Sequence, residues 1–543
     1  MHRQAAPSTH DPLAPFAGLG HWLATTALLS AVGLAMGAVL AQYLRSRALH
    51  WTWGAVALLA AVLLRSALAG ATPFVVAAAL CATLRGRRLH IEDALAGADL
   101  AQDAARRRTP LDLIRARIGV AQLRRRRAGV PGSWLRGEEL IIGSDGRGRL
   151  VSIPCGGVAG GTHTLLVGAT GSGKTVTQTW MAVRSIERGA GAIVVDPKGD
   201  RQMRDAVAGA ARAAGRDFIE WSPPGPCAYN PFARGGDTEI ADKALAGERF
   251  TEPHYQRQAQ RMLGHVARTL RAAGAEVDLG SIVSNLDPDN LELLARRLSS
   301  NEAETTEAYL DSLTTRQRAE LAGVRDRLAI LAESDVGRWL DSRGDQTRRF
   351  DLLEAVQMRA VVYFDLDADS RPLLTQMLGA AIVQDLQSTV AAMQGRPLPT
   401  IVVIDEFSTL AAEQVVRLFA RARSAGFSLV LSTQELSDLR LRGRDDLLEQ
   451  VMGNLSVLLA HRQVVPSSAE LIASLAGTSG AWRTSRHGDG RVSRTRIRAG
   501  ALDADSVMGL APGCAATIVL SDGRPARIAR VLCTDGGAGA RCR

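Results

Sequence analysis

One short stretch of the chain has residue types and spacing that suit phosphate binding. It runs glycine, four residues, glycine, lysine, threonine, and comprises Gly168, Ala169, Thr170, Gly171, Ser172, Gly173, Lys174 and Thr175. An apolar run enters this phosphate loop and a helical pattern leaves it, so successive backbone N–H groups can face an anion at a helix N-terminus. Lys174 can then reach the β- and γ-phosphates, and Thr175 can hold Mg²⁺. The stretch therefore predicts binding of a nucleoside triphosphate, ATP, with Mg²⁺.

A second stretch places two carboxylates directly after a predicted buried strand. Residues 400–404 are mostly apolar and β-prone, and Asp405 and Glu406 follow them. Because the carboxyl ends of parallel strands face one crevice, these acids are expected beside the phosphate loop if both strands share a sheet. Asp405 would help to bind Mg²⁺, and Glu406 would activate the attacking water as general base. The pair predicts hydrolysis of the bound nucleotide.

Three more polar residues follow further predicted strands. Asp196 and Lys198 come after the apolar run 191–195, which makes them candidate nucleotide-binding residues, although a plain strand-to-helix turn explains them equally well. Gln434 follows the run 427–432 and is a candidate for contacting the γ-phosphate or holding the attacking water.

The elements that must position these residues alternate between strand and helix. This alternation predicts an α/β fold with a mainly parallel sheet covered on both faces. Between residues 237 and 345, apolar residues instead recur at helical spacing, which predicts an all-α inserted domain. That region holds 20 acidic and 14 basic residues in a chain of net charge +10. Its surface is therefore expected to recognise protein, or to be a solvated cap, rather than to grip DNA.

Two apolar zones precede the α/β region. Residues 19–44 carry no charge and are long enough to cross a bilayer, whereas residues 53–84 are interrupted by Arg65 and Pro73. Arginines cluster after the second zone, so the large carboxy-terminal part is expected on the cytoplasmic side of a multi-pass membrane protein. We expect two spans, and three remain open because Arg45 would then also lie inside.

Charge and cysteine content limit the kinds of partner and the compartment that fit this chain. The net charge of +10 and the pI near 9.8 favour anionic partners, either nucleic acid or lipid head groups. Residues 482–498 hold six arginines around a glycine turn, which indicates either a hairpin that follows a phosphate backbone or a solvated loop. The six cysteines are scattered and form no C-x-x-C pair, so we expect them reduced on the cytosolic side.

The order of these parts resembles the TraG/TraD-type coupling proteins of type IV secretion and conjugation, over about residues 139–530. The resemblance is carried by His163 to Gly168, Asp196-Pro197-Lys198-Gly199-Asp200, Ile404-Asp405-Glu406-Phe407, Ser432-Thr433-Gln434, Gly453-Asn454, Arg462 and Ala469-Glu470. It implies a RecA-like motor domain, a homo-hexameric ring and ATP-driven delivery of single-stranded DNA with its bound relaxase, or of protein substrates, to a secretion channel. In such rings an arginine of the neighbouring subunit completes the site, which makes Arg462 the first candidate and Arg423 the second.

The expected domains are a transmembrane domain at 1–88, a basic juxtamembrane linker at 89–138, a nucleotide-binding domain at 139–236 and 346–533, an all-α insertion at 237–345 and a loose tail at 534–543. Three functions remain open. The first is a membrane-anchored DNA-translocating ATPase. The second is a motor that exports only proteins, and the third is a nucleotide-gated membrane adaptor without significant turnover.

Overall fold

The computed structural model describes residues 14–95, 107–125, 133–156, 160–248, 250, 252–298, 301–340, 348–410, 412–440, 446–486 and 492–533. They divide into two compact units. The amino-terminal unit reaches residue 122 and includes residues 147–149 and 479–499, and the larger unit contains the rest.

The larger unit is built on a 12-stranded sheet. The strands of the chain are β1 Leu135–Arg136, β2 Glu139–Asp145, β3 Leu150–Pro154, β4 Thr164–Val167, β5 Gly191–Asp196, β6 Phe218–Trp221, β7 Cys227–Tyr229, β8 Arg348–Phe350, β9 Val361–Asp365, β10 Thr400–Ile404, β11 Phe427–Thr433, β12 Val457–Ala460, β13 Thr478–Arg486, β14 Val492–Gly500, β15 Cys514–Val519 and β16 Arg527–Val531. The sheet has the order β1-β2-β16-β15-β12-β4-β11-β10-β5-β9-β6, with β3 beside β2.

The part of the sheet from β12 to β6 is parallel, and the part from β15 to β3 is antiparallel. Every residue of β4, β5, β10 and β12 is buried. Strands covered on both faces need uninterrupted apolar runs, which is the pattern these segments have in the sequence. The predicted α/β fold with a mainly parallel sheet is confirmed.

Helices cover this sheet and form the region between β7 and β8. The helices of the chain are α1 Ala14–Ser46, α2 Thr52–Leu63, α3 Arg65–Leu68, α4 Thr72–Leu95, α5 Pro110–Arg125, α6 Lys174–Glu187, α7 Arg201–Ala213, α8 Asp237–Leu245, α9 Pro253–Ala272, α10 Leu279–Asn285, α11 Pro288–Ala295, α12 Asn301–Asp311, α13 Thr315–Ala332, α14 Leu352–Gln357, α15 Pro372–Ala392, α16 Phe407–Leu410, α17 Ala412–Ala422, α18 Asp446–Asn454, α19 Pro466–Leu475 and α20 Ala504–Met508. Helices α8 to α13 lie within the stretch predicted as an all-α insertion, whose boundaries remain a prediction.

The amino-terminal unit contains the two long apolar helices expected from the sequence, Gly18–Ser46 and Arg65–Leu95 as candidate spans. The backbones of α1 and α4 pack closely where Gly33 faces Phe74 and Gly37 faces Ala78. Small residues spaced by four allow such close approach between membrane helices. Because both numbers of the pairs increase together, α1 and α4 run parallel. The shorter apolar helix α2 runs antiparallel to α4, since Gly54 faces Thr83 whereas Trp51 faces Gly86.

Charged groups join the carboxyl ends of α1 and α4. Arg45 and Arg107 both donate to the Asp93 carboxylate, with Arg45 Nε 3.0 Å from Asp93 Oδ2. Asp93 is 2% exposed, and a carboxylate this buried is stabilised only when it is paired. The pairing holds the carboxyl ends of α1 and α4 next to each other.

The basic stretch near residue 490 forms the predicted hairpin. Strands β13 and β14 pair as a separate two-stranded sheet, and Arg496 and Arg498 on β14 are exposed. The glycine turn itself lies outside the described residues, as does the expected loose tail.

Candidate active site

The sequence-predicted site residues meet at the carboxyl edge of the parallel strands. Strand β4, which leads into the phosphate loop, lies between β12 and β11, and β10 and β5 follow in order. The edge therefore carries, side by side, Arg462 after β12, Gln434 after β11, the Asp405–Glu406 pair after β10 and Lys198 after β5. In the linear sequence Lys198 lies more than two hundred positions before the other residues, and the sheet order brings them all to one edge.

The phosphate loop is fixed by its two neighbouring strands. The Gly168 N–H donates to the Gln434 carbonyl oxygen at 3.1 Å, and the Ala169 N–H donates to the Arg462 carbonyl oxygen at 2.9 Å. Gly173 has φ +107°, a conformation that favours glycine, and α6 begins at the next residue. The loop thus leads directly into the N-terminus of α6, and the free N–H groups at the N-terminus of a helix can bind an anion.

His461 supports the phosphate loop from behind, a role that the sequence did not indicate. A Cβ on Gly168 would lie 2.5 Å from His461 Cβ, so only glycine fits there. The ring nitrogen His461 Nε2 lies 3.0 Å from Thr177 Oγ1 on α6. His461 is fully buried, and burial lowers its pKa to about 4, so its ring is neutral at physiological pH. In the sequence, His461 is marked only by its position at the end of an apolar strand, and that position does not reveal what its ring contacts.

Two lysines and two carboxylates form the charged centre of the site. Lys198 Nζ lies 2.5 Å from Glu406 Oε1 and 3.4 Å from Asp405 Oδ2. Lys174 Nζ lies 4.0 Å from the same Glu406 oxygen and donates to the Gly168 carbonyl. Burial lowers the pKa of Lys174, and the Glu406 carboxylate opposes that shift. The centre balances two positive charges against two negative ones at a buried edge.

Ser432 on β11 contacts the Asp405 carboxylate and the Glu406 backbone. Its hydroxyl donates to Asp405 Oδ1 and accepts from the Glu406 N–H at 3.3 Å. Glu406 has φ +45°, which non-glycine residues rarely adopt. Sequence reasoning quoted Ser432 only as part of the stretch that ends at Gln434 and gave it no role, because its contacts depend on β11 lying beside β10.

Asp196 is bound to its own loop. Its carboxylate accepts from the N–H groups of Lys198 at 2.8 Å and Asp200 at 2.6 Å, and from the Tyr363 hydroxyl at 2.6 Å. Asp196 is fully buried, and burial raises its pKa, which these hydrogen bonds oppose. The contacts that the structure gives it shape the loop that carries Lys198.

The two candidate arginines lie at opposite ends of the parallel strands, Arg462 at the carboxyl ends and Arg423 at the amino ends. Arg462 is half-buried and adjoins its own phosphate loop through its backbone. Arg423 precedes β11 and donates to Ser456 Oγ at 3.1 Å, at the edge away from the loop. Gln434 follows β11 at the loop and is exposed. Arg423 therefore does not join the site of its own chain.

The arrangement fits a triphosphate with Mg²⁺. Lys174 Nζ lies 4.0 Å from Glu406 Oε1, so a cation suited to phosphate oxygens meets the carboxylate pair. Ser172 Oγ is buried and has no hydrogen-bond partner among the described residues. Among those residues no group of three His, Cys, Asp or Glu side chains could hold a metal by itself. Mg²⁺ bound with nucleotides commonly uses one or two protein ligands together with phosphate oxygens, and Thr175 and Asp405 are of suitable type.

Comparisons with known proteins point to one family. Residues 399–511 match the family model described as the TraM recognition site of TraD and TraG. The type 4 coupling protein DotL of Legionella pneumophila is 22% identical over 353 residues, covering 52% of this chain and 45% of DotL, so the chain spans about half of that relative. An uncharacterized protein of Mycoplasma pneumoniae is 31% identical over 101 residues, covering 18% of this chain and 67% of that protein.

Solved structures share the fold. The unbound monoclinic form of the bacterial conjugative coupling protein TrwB superposes with a TM-score of 0.57 at 18% identity, covering 77% of this chain and 92% of that one. The plasmid coupling protein TrwB in complex with ADP and Mg²⁺ gives 0.53 at 17% identity, covering 69% and 87%. The likeness shows a RecA-like ATPase fold. Together with the matched family model and the coupling-protein relative, this fold makes the chain similar to the TraG/TraD-type coupling proteins of type IV secretion and conjugation.

Proposed function

We propose that the protein is an ATP-driven coupling protein that delivers single-stranded DNA, with its bound relaxase, to a type IV secretion channel. The observation that carries the ATPase proposal is the meeting of Lys174, Asp405 and Glu406 at one edge of the sheet, within 4.0 Å between Lys174 Nζ and Glu406 Oε1. A phosphate-binding lysine beside a buried carboxylate pair is the arrangement that nucleotide hydrolysis needs.

Each site residue has a part in the proposed reaction. The phosphate loop and Lys174 bind the β- and γ-phosphates, and Gln434 orients the attacking water. Thr175 and Asp405 would hold Mg²⁺, which supplies positive charge to the phosphate oxygens. Glu406 takes the proton of the water as its oxygen bonds to the γ-phosphorus, and the leaving β-phosphate oxygen keeps the electron pair of the broken bond.

The proposed cargo and partners follow from charge and family. The net charge of +10 and the exposed arginines of β14 suit a nucleic-acid phosphate backbone. The match to a TraM recognition site supports contact between residues 399–511 and relaxosome proteins. We include components of the secretion channel among the partners.

A homo-hexamer is the proposed assembly, in which an arginine of one subunit completes the site of the next. Arg462 remains the first candidate and Arg423 the second. Mixing Arg462→Ala subunits with Glu406→Gln subunits regains part of the activity if Arg462 acts across the interface. If that mixture recovers no activity at any ratio, whereas a mixture of Arg423→Ala and Glu406→Gln subunits does, the role belongs to Arg423.

We place the protein in the bacterial inner membrane with its nucleotide-binding unit in the cytoplasm. Helices α1 and α4 run parallel, so both end on one face of the membrane if both cross it, and the number of crossings is odd. This supports the three-span alternative, with α2 and α3 as the return. Arg45 and Arg47 then lie on the cytoplasmic side, as the distribution of basic residues in membrane proteins favours.

ATP hydrolysis by the full-length protein in detergent, with and without single-stranded DNA, tests the function. Lys174→Ala and Glu406→Gln should each lower hydrolysis by about 100-fold or more, because each removes a group that acts on the reacting atoms. The control Glu276→Gln changes an exposed carboxylate and should leave the rate unchanged. Hydrolysis that survives both site substitutions overturns the site.

The dependence on DNA separates the candidate functions. Stimulation by single-stranded DNA supports DNA delivery. Robust hydrolysis that ignores DNA favours a motor for protein substrates, which the acidic helical region between β7 and β8 would suit. Nucleotide binding without hydrolysis, unchanged by DNA, indicates the adaptor.

A further inference from the structure

One lysine of the site contacts the general base and not the phosphate loop. Lys198 Nζ lies 2.5 Å from Glu406 Oε1 and 3.4 Å from Asp405 Oδ2. Lys174, by contrast, extends from the loop itself and lies 4.0 Å from Glu406 Oε1. The shortest charged contact of Glu406 is therefore made from a separate strand end, after β5.

The loop that carries Lys198 is held rigidly. Asp196 accepts from two N–H groups of this loop and from the Tyr363 hydroxyl, as described above. The Ala368 N–H also donates to the Pro197 carbonyl oxygen at 2.7 Å. A buried carboxylate that fixes a loop at several points restricts where the next side chain can reach. The base of the Lys198 side chain thus has a defined place relative to β10.

The orientation of Glu406 depends on contacts outside its own backbone. Its φ of +45° turns the chain sharply after β10, and the Thr409 N–H and hydroxyl bond the Glu406 carbonyl at 2.9 and 2.8 Å. These contacts fix the backbone of Glu406 but leave its side-chain torsions free. Lys198 supplies the short contact that fixes the carboxylate.

We propose that Lys198 is a positioning residue, which holds the Glu406 carboxylate in the orientation that takes the proton from the attacking water. This inference rests on the proposed ATPase function and assigns Lys198 a role through Glu406 rather than as a nucleotide ligand. A general base acts only within hydrogen-bond reach of the water, so a carboxylate free to rotate spends less time in the productive geometry.

Steady-state kinetics and nucleotide binding test this role on the full-length protein. Lys198→Met should lower kcat for ATP about tenfold or more, while KM and the Kd of a fluorescent ATP analogue change less than about threefold. Lys198→Arg keeps a cation within reach and should recover part of kcat. The control Arg201→Met, an exposed residue three positions further on, should leave kcat unchanged.

A double variant separates the proposal from its basis. In the Glu406→Gln background, Lys198→Met should cause no further loss of kcat, because Lys198 acts through the carboxylate that Glu406→Gln has already removed. An additional tenfold loss in that background, or a Kd raised as far as by Lys174→Ala, overturns the positioning role and makes Lys198 a nucleotide ligand. An unchanged kcat in the single variant overturns it as well. If Glu406→Gln itself retains full activity, the ATPase site fails instead.

Discussion

Lys243 Nζ lies 2.6 Å from Asp385 Oδ1, and this pair joins the helical region to the core of the larger unit. Lys243 is on α8, the first helix of that region, and Asp385 is on α15. The ammonium also donates to the carbonyl oxygens of Pro231 and Arg234, at 2.8 and 2.7 Å, and the Tyr229 hydroxyl donates to Asp385 Oδ2 at 2.7 Å. All hydrogens of a buried ammonium are thereby satisfied.

Breaking this pair should destabilise the fold strongly. Lys243→Met leaves Asp385 buried without its cation, which costs about 3–5 kcal/mol of unfolding free energy. Chemical denaturation followed by circular dichroism measures the loss. The double variant Lys243→Met with Asp385→Asn should recover part of it, since no buried charge remains, and Arg316→Met on the surface should change little. A single variant as stable as wild type contradicts the assignment.

The sequence predicts those parts of the site that local patterns define. The phosphate loop needs its glycines, Lys174 and Thr175 in one short run, and Asp405 and Glu406 directly follow a mostly apolar, buried strand. Both patterns are local, and the order of parallel strands then brings them to one edge. The catalytic roles of these residues remain predictions.

The parts that sequence reasoning missed depend on contacts between distant segments. His461 lies behind Gly168 only because β12 lies beside β4, and Ser432 reaches Asp405 only because β11 lies beside β10. In the amino-terminal unit, hydropathy identifies long apolar helices but carries no information about their direction. Sequence periodicity predicts where a helix or strand lies in the chain, whereas tertiary packing determines which elements lie beside it.

Removing the Ser432 hydroxyl should lower turnover without weakening nucleotide binding. Ser432→Ala deletes a hydrogen bond to the Asp405 carboxylate and the acceptor of the Glu406 N–H. A hydrogen bond to a charged group is worth about 1.5–3 kcal/mol, so we expect kcat to fall about tenfold or more with KM within about twofold. Ser424→Ala, at an exposed position, is the control. A raised KM with normal kcat would count against this reading.

Adding one methyl group to the phosphate loop should weaken nucleotide binding strongly. Gly168→Ala places a Cβ 2.5 Å from His461 Cβ and 2.7 Å from Ser172 Oγ, so the loop must shift. We expect the affinity for a fluorescent ATP analogue to fall at least tenfold. Gly209→Ala on α7 meets nothing within 4 Å and should retain affinity while adding up to about 1 kcal/mol of helix stability. Equal affinity in both variants would show that the loop tolerates the clash.

Acidification should destabilise the larger unit through His163. This residue is 1% exposed, and burial, with Arg423 nearby, lowers its pKa to about 4 from 6.5. Between pH 4 and pH 6.5 the unfolded chain therefore binds more protons than the folded chain. The contribution of His163 to the unfolding free energy is complete above pH 6.5 and is lost as the pH falls towards 4. It amounts to about 3 kcal/mol at most. His163→Gln should flatten the fall in unfolding free energy between pH 6.5 and 4.5, whereas exposed His254→Gln should not. Parallel curves for all three proteins would contradict this.

Reporter fusions should place the two ends of the amino-terminal unit on opposite faces of the membrane. Gly33 and Gly37 of α1 pack on Phe74 and Ala78 of α4 in parallel, and Arg45 pairs with Asp93 at the common end. If α1 and α4 both cross the membrane, two crossings would require them to be antiparallel, so three crossings fit. Alkaline phosphatase, which is active outside the cytoplasm, should be active when fused before α1 and inactive when fused after β16. Green fluorescent protein at the same sites should give the reverse pattern. A fluorescent fusion before α1 together with a fluorescent one after β16 would require an even number of crossings, and α1 and α4 could not then both cross the membrane in the parallel arrangement.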